Sequence, residues 1–218
     1  MNKKQIIENT IAFVKKTLQG AEGGHDWFHI ERVYKNALLI AKDEKVDVFM
    51  VSIGALLHDI ADAKFYDGDE TVGPKLAREF LEKQRVNEEV IVHIENIIQF
   101  ISFKTSLSDG EKFTSPELAV IQDADRLDAI GAIGIARCFN YGGFKNRALY
   151  DPEIIPNLNM TKEEYKKSTA PTINHFYEKL LLLKDKMNTK TGKNIALERH
   201  NYMENFLKQF YAEWNGLK

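Results

Sequence analysis

Almost every stretch of this chain repeats its apolar residues at helical spacing, and that periodicity is the strongest constraint on its fold. Ile6, Ile7, Ile11, Phe13, Val14 and Leu18 form one stripe, with Gly20 as a stop signal. Residues 26–42 place Ile30, Val33, Ala37, Leu38 and Ala41 on one side. Residues 46–58 are apolar nearly all round, as a central buried helix would be. The spacing predicts further helices over 74–83, 88–101 and 116–140, and a long helical region at the C-terminus. No stretch sustains a period of two with turn residues between, so the expected fold class is all-α.

Polar segments at 61–71, 104–115 and 141–162 read as loops. The last contains Gly142-Gly143, Pro152 and Pro156 and reads as a long excursion, the kind that often serves as a binding loop or lid. There is no internal repeat and no low-complexity linker, so residues 1–218 are expected to form a single domain, with residues after about 145 as a helical extension.

Hydrophobic residues make up 44% of the chain, enough for a sizeable core. Thirty Lys and Arg face thirty-two Asp and Glu, a net charge of -2. That balance gives no electrostatic reason to expect nucleic acid or an anionic membrane as partner. The one cysteine, Cys138, excludes a disulfide within the chain and fits a reducing compartment. Beside Phe139 it reads as packing. The N-terminus lacks the apolar segment of a signal peptide, and no apolar run nears the roughly 18 residues that span a bilayer. The expected location is cytoplasmic.

Three places concentrate chemistry. His29, Val33 and Ala37 fall at i, i+4 and i+8, so His29 faces the packed side of its helix. An inward histidine serves either as a hydrogen-bonded core residue or as a metal ligand. The apolar run 55–57 ends in His58-Asp59. A carboxylate carried into an apolar setting needs compensation, which a divalent cation supplies; a solvated helix end is the plainer alternative. In Asp123-Ala124-Asp125-Arg126-Leu127-Asp128, Asp125 shares the inward face with Ile121. Asp123 suits a role as acceptor for a ligand histidine, and Asp128 either pairs with Arg126 or caps locally.

His, then His-Asp, then Asp, on three separate helices, resembles the HD-domain superfamily of metal-dependent phosphohydrolases. Gly-His-Asp-Trp before His29, His58-Asp59-Ile-Ala-Asp-Ala-Lys, Ile-Ser-Phe-Lys at 101–104 and Gln-Asp-Ala-Asp-Arg-Leu-Asp at 122–128 are similar, more closely, to bacterial HD-domain nucleotide pyrophosphohydrolases of bacilli. The likeness extends through 175–180 and 188–192 and covers nearly the whole chain. It implies an HD-domain-like helical bundle with its HD core at about 22–140. It also implies His29, His58, Asp59 and Asp125 as ligands of one divalent metal. Asp125 is chosen because it directly precedes a basic residue and then Leu; Asp123 is the fallback. A mixed nitrogen and oxygen set favours manganese, with magnesium, iron, cobalt or nickel as alternatives. His93 is the one candidate for a further metal-binding histidine.

Such a site also needs cations for phosphate and a proton-handling group. Asp62, three residues after Asp59, is assigned as general acid/base or water-orienting group, and Lys64 beside it holds phosphate. Arg32, Ser102 and Lys104 are candidate substrate contacts. Each equally suits the ordinary role of a solvated polar residue. Asp26 is placed to cap the helix bearing His29; His25 has no assigned role. His175, Arg199 and His200 are expected on a polar outer face. Phe206, Phe210, Tyr211 and Trp214 read as core. The resemblance implies hydrolysis of a (deoxy)nucleoside triphosphate to monophosphate and pyrophosphate. The alternatives are a phosphomonoesterase or phosphodiesterase on another small molecule, or a non-catalytic nucleotide sensor. A homodimer is among the open assemblies.

Overall fold

The computed structural model describes residues 2–20, 26–61, 66, 69, 71–101, 113–161, 164 and 167–218. Among these the chain is helical and contains no strand. No helix among them is long and apolar enough to cross a membrane. The chain divides into two compact units, Met1–Asp125 and Arg126–Lys218.

The first unit holds α1 (Lys3–Thr17), α2 (Trp27–Ala41), α3 (Val48–Leu57), α4 (Val72–Lys83), α5 (Glu88–Phe100) and most of α6 (Pro116–Asp128). Helix α3 is its centre and packs on α1, α2 and α5. Phe49 and every residue from Val51 to Leu57 are buried. Complete burial of a single Ile or Leu side chain stabilises a fold by roughly 1.5–3 kcal/mol. Around α3 stand Ile30, Val33, Ala37 and Ile40 of α2, Ile91, Ile94 and Ile97 of α5, and Val120, Ile121 and Ala124 of α6, all buried. Asp47 starts α3 by accepting from the Phe49 and Met50 amides at 2.7 and 3.2 Å. Helix α4 is paired with α5 through Arg78, whose guanidinium meets both oxygens of Glu95 at 2.7 and 2.6 Å. Phe13 of α1 stacks on Phe80 of α4 with centroids 4.3 Å apart.

Helix α4 begins at Val72 rather than at Pro74, because proline is tolerated within a first helical turn, where its missing N–H has no intrahelical partner.

The second unit comprises the last turn of α6, α7 (Gly131–Phe144), α8 (Asn174–Glu178), a 3-10 stretch at Leu180–Lys186, and α9 (Lys190–Trp214). Helix α9 packs on α7 and on the 3-10 stretch. Phe139, Phe176 and Phe206 form an aromatic core, with centroids 5.8 to 6.0 Å apart. Phe210, Tyr211 and Trp214 extend it around Tyr150. Trp214 remains half exposed. Cys138 sits against the Thr172 carbonyl, and burial pushes its thiol up to about 12, as befits a packing residue.

Several expectations need correction here. The helix expected over 116–140 is broken at Ala129-Ile130: Ile130 is extended and Gly131 takes φ +76°, a conformation that favours glycine. Asp128 pairs with Arg137, while Arg126 donates to the Lys186 carbonyl at 2.8 Å. The loop expected from 141 starts later, since α7 runs on through Gly142-Gly143 to Phe144. Gly142 serves close packing rather than a turn: a Cβ there would lie 2.2 Å from Thr172 Oγ1. His200, expected on an outer face, is buried, with Nε2 3.2 Å from Glu204. Arg199 donates to the Leu127 carbonyl at 2.5 Å.

Two glycines of α7 predict opposite outcomes. A Cβ at Gly134 would meet the Ala129 carbonyl oxygen at 2.3 Å and its carbon at 2.5 Å, and that backbone is fixed by the tight entry into α7. Gly134→Ala should destabilise the fold by roughly 1–3 kcal/mol, despite its better helix propensity. At Gly143 nothing lies within 4 Å, so Gly143→Ala should gain up to about 1 kcal/mol. Urea denaturation midpoints of the two variants will show whether they move in opposite directions.

Half-burial, together with the charges of Lys179 and Arg147, pushes the His175 imidazole down to about 4 from 6.5. Between these values the unfolded chain binds the proton and the folded chain does not. Stability from this group is therefore complete above pH 6.5 and is lost as pH falls toward 4. Thermal melts from pH 7.5 to 4 should show a smaller loss of stability for His175→Gln than for the parent.

Candidate metal centre

Three of the four predicted ligands meet in the first unit. His29 lies in the first turn of α2, His58 follows the last residue of α3, and Asp125 is near the end of α6. Each offers a ligand atom, and these atoms lie within 4.8 Å of one another. His29 Nε2 is 3.5 Å from Asp125 Oδ1, and the two imidazoles meet edge to face with centroids 5.4 Å apart.

Local structure aims each group. Asp26 caps α2, its Oδ1 accepting from the His29 amide at 2.9 Å, which fixes the turn that carries the imidazole. His58 Nδ1 is 2.9 Å from the Ala55 carbonyl. A carbonyl only accepts, so Nδ1 carries the proton and Nε2 presents its lone pair. Asn36 of α2 donates to the Ala124 carbonyl at 3.3 Å, tying the helix of His29 to the residue before Asp125.

Burial differs among the three. His29 is 4% and His58 5% exposed, while the Asp125 side chain is 43% exposed. The set is thus closed on the histidine side and open to solvent on the carboxylate side.

This donor set suits a divalent cation. Ligands at about 2.1 Å from one ion stand about 3 to 4 Å from each other, and the three atoms need only a small contraction to reach that spacing. Two neutral imidazoles and one carboxylate are the chemistry of first-row metals rather than calcium. Asp59, next to His58, is half-buried and is not among the three groups so gathered. Asp123 is fully buried and also stands outside the set.

Arg32 lies on α2, one turn after His29, and is half-buried. Asp62, Lys64, Ser102, Lys104 and His25 lie outside the described residues. His93 belongs elsewhere: its Nε2 stands 3.2 Å from Ser115 Oγ and 3.5 Å from Glu117 Oε2. The buried Glu117 also accepts from the Asp47 amide at 3.0 Å, so it links the start of α6 with α5 and the start of α3. The sequence signal for this role is a glutamate in the first turn of a helix. The Ala55 carbonyl has no such signal, since a backbone acceptor leaves no mark on sequence.

Comparison with known proteins gives concordant matches. The HD domain family matches residues 27–130. YpgQ of Bacillus subtilis is 35% identical over 219 residues, spanning 100% of this chain and 98% of YpgQ. Among solved structures, an HD-superfamily hydrolase of Bacillus thuringiensis is 44% identical with a TM-score of 0.80, over 98% of this chain and 99% of that one. The structure of Bacillus subtilis YpgQ in complex with ADP is 32% identical with a TM-score of 0.75, over 98% and 97% of the two chains.

The cap on α2 yields a prediction. Asp26→Ala leaves the His29 amide without its side-chain acceptor and should cost about 1 kcal/mol of stability. Asp26→Asn or Asp26→Ser should recover most of it, measured as the shift in urea midpoint.

Proposed function

Because this chain belongs to the HD superfamily of hydrolases, we propose that it is a metal-dependent phosphohydrolase that converts (deoxy)nucleoside triphosphates to monophosphate and pyrophosphate. The convergence of His29, His58 and Asp125 carries the hydrolytic reading. Similarity to YpgQ, a protein whose structure was solved with ADP, supports a nucleotide as substrate.

In this reading His29, His58, Asp59 and Asp125 hold one divalent ion, manganese foremost, with magnesium, iron, cobalt or nickel as substitutes. When bound, the ion lowers the pKa of water and polarises a phosphoryl oxygen. The protein supplies the rest. The Ala55 carbonyl keeps the His58 proton on Nδ1, so Nε2 presents its lone pair. The exposed side of Asp125 leaves room for a phosphate to approach from solvent. Arg32 is assigned to neutralise phosphate charge, with Lys64, Ser102 and Lys104 as further contacts. Asp62 is assigned to orient the attacking water and to move its proton.

Product analysis tests the proposal. The purified protein, incubated with manganese and a panel of ribo- and deoxynucleoside triphosphates, should release monophosphate and pyrophosphate. Asp59→Ala and Asp125→Ala should each lower kcat/KM on the order of 10²-fold or more, since loss even of a partner behind a ligand costs 10–100-fold. Titration calorimetry should show one manganese per parent chain and weakened binding in both variants. Release of orthophosphate alone would retain the metal chemistry and reject the pyrophosphohydrolase. Tight nucleotide binding without turnover under any metal would identify a sensor.

A further inference from the structure

Phe28 stands in the first turn of α2, directly before His29. It is 63% exposed, more than any other large apolar side chain of the first unit among the described residues. A single apolar residue in water is ordinary by itself; the position of this one decides what it can do. The Asp26 cap accepts from the His29 amide at 2.9 Å, so the backbone that carries the phenyl ring is fixed together with the backbone that carries the imidazole. The neighbouring Trp27 is half-buried, and Lys15 Nζ lies 4.6 Å from its ring centroid. Among the described residues no other ring stacks on Phe28.

Each residue turns a helix by about 100°. Counted from Phe28, Arg32 therefore stands about 40° round α2, Asn36 about 80° and His29 about 100°. The order around the helix is aromatic ring, guanidinium, metal-binding imidazole. Phe28 and Arg32 are one turn apart, with Cβ atoms about 5–6 Å from each other. Exposure rises along the same path, from 4% at His29 through the half-buried Arg32 to Phe28. A nucleotide has this order built into it. Its reacting phosphoryl group belongs at the metal, its remaining phosphate charge beside a guanidinium, and its base at the end nearer to solvent. Leu39, another exposed apolar side chain of α2, stands about 16 Å farther along the axis, away from the centre.

On the footing of the nucleotide substrate proposed above, we infer that Phe28 is a substrate-binding residue, whose ring stacks on the nucleobase while the phosphates reach Arg32 and the metal centre. Every base has a π face, and stacking does not depend on the hydrogen-bonding edge of the base. The contact therefore separates nucleotides from simpler phosphate compounds without selecting one base. A phenyl side chain has only two torsions to order, so little entropy is lost when it engages.

Calorimetry in the presence of manganese, with ADP and with inorganic pyrophosphate as the probe that lacks a base, tests this on the full-length protein. Phe28→Leu keeps apolar bulk and removes the π face. It should weaken ADP binding roughly tenfold or more, with pyrophosphate binding and the melting temperature unchanged. Phe28→Trp should bind ADP at least as tightly as the parent, and ADP, unlike pyrophosphate, should quench the fluorescence of the added indole. An ADP affinity unchanged in Phe28→Leu, or a loss shared equally by pyrophosphate, overturns the stacking contact; turnover of triphosphates by the parent would then still uphold the proposed reaction. A parent that binds pyrophosphate and not ADP rejects the nucleotide substrate, and the stacking contact with it.

Discussion

The burial of α3 is the constraint around which the first unit is arranged. A helix with apolar side chains on every face must be enclosed on every face, and α1, α2 and α5 do this. Its polar ends then become the difficulty, because the terminal amides and carbonyls of a helix lack intrahelical partners. Asp47 serves the first end, with Glu117 accepting from the Asp47 amide. At the other end His58 folds back on the Ala55 carbonyl. The bond that satisfies this helix terminus is also the bond that sets the tautomer of a candidate metal ligand. Structural need and chemical readiness meet in one contact, and neither can be changed without the other.

The same economy governs the other two groups. Asp26 begins α2 and in doing so fixes the turn of His29. Asn36 joins α2 to the backbone of α6 one residue before Asp125. The three side chains are therefore held through the ends and flanks of well-packed helices, as a site that must keep sub-ångström geometry requires. In the second unit packing follows another logic. Glycines let backbone approach backbone at Gly134 and side chain approach helix at Gly142, and aromatic rings fill the space between α7, α8 and α9.

Much of the fold was legible in the sequence because helical periodicity is local: Ile30, Val33 and Ala37 announce an inward face without knowledge of any partner. The apolar character of 48–57 likewise announced a central helix, and the adjacent His58-Asp59 marked where that helix meets polar chemistry. Glycine was the ambiguous letter. At Gly131 it permits a positive φ and breaks the helix that was expected to continue. At Gly142 it sits inside a helix because Thr172 leaves no room for a Cβ. The two uses look the same in sequence, since one answers to backbone torsion and the other to a neighbour thirty residues away.

The sequence by itself determined the all-helical class, the inward faces and the residue types able to bind a metal, because these follow from spacing and side-chain chemistry. Only the tertiary structure decided which of those residues meet. It brought Asp125 rather than Asp123 to the histidines, gave Asp128 to Arg137 and His93 to Glu117 and Ser115, and left the apolar side chains of 141–158 facing water. Those choices depend on distances between segments far apart in the chain, and such distances are fixed by packing rather than by local pattern.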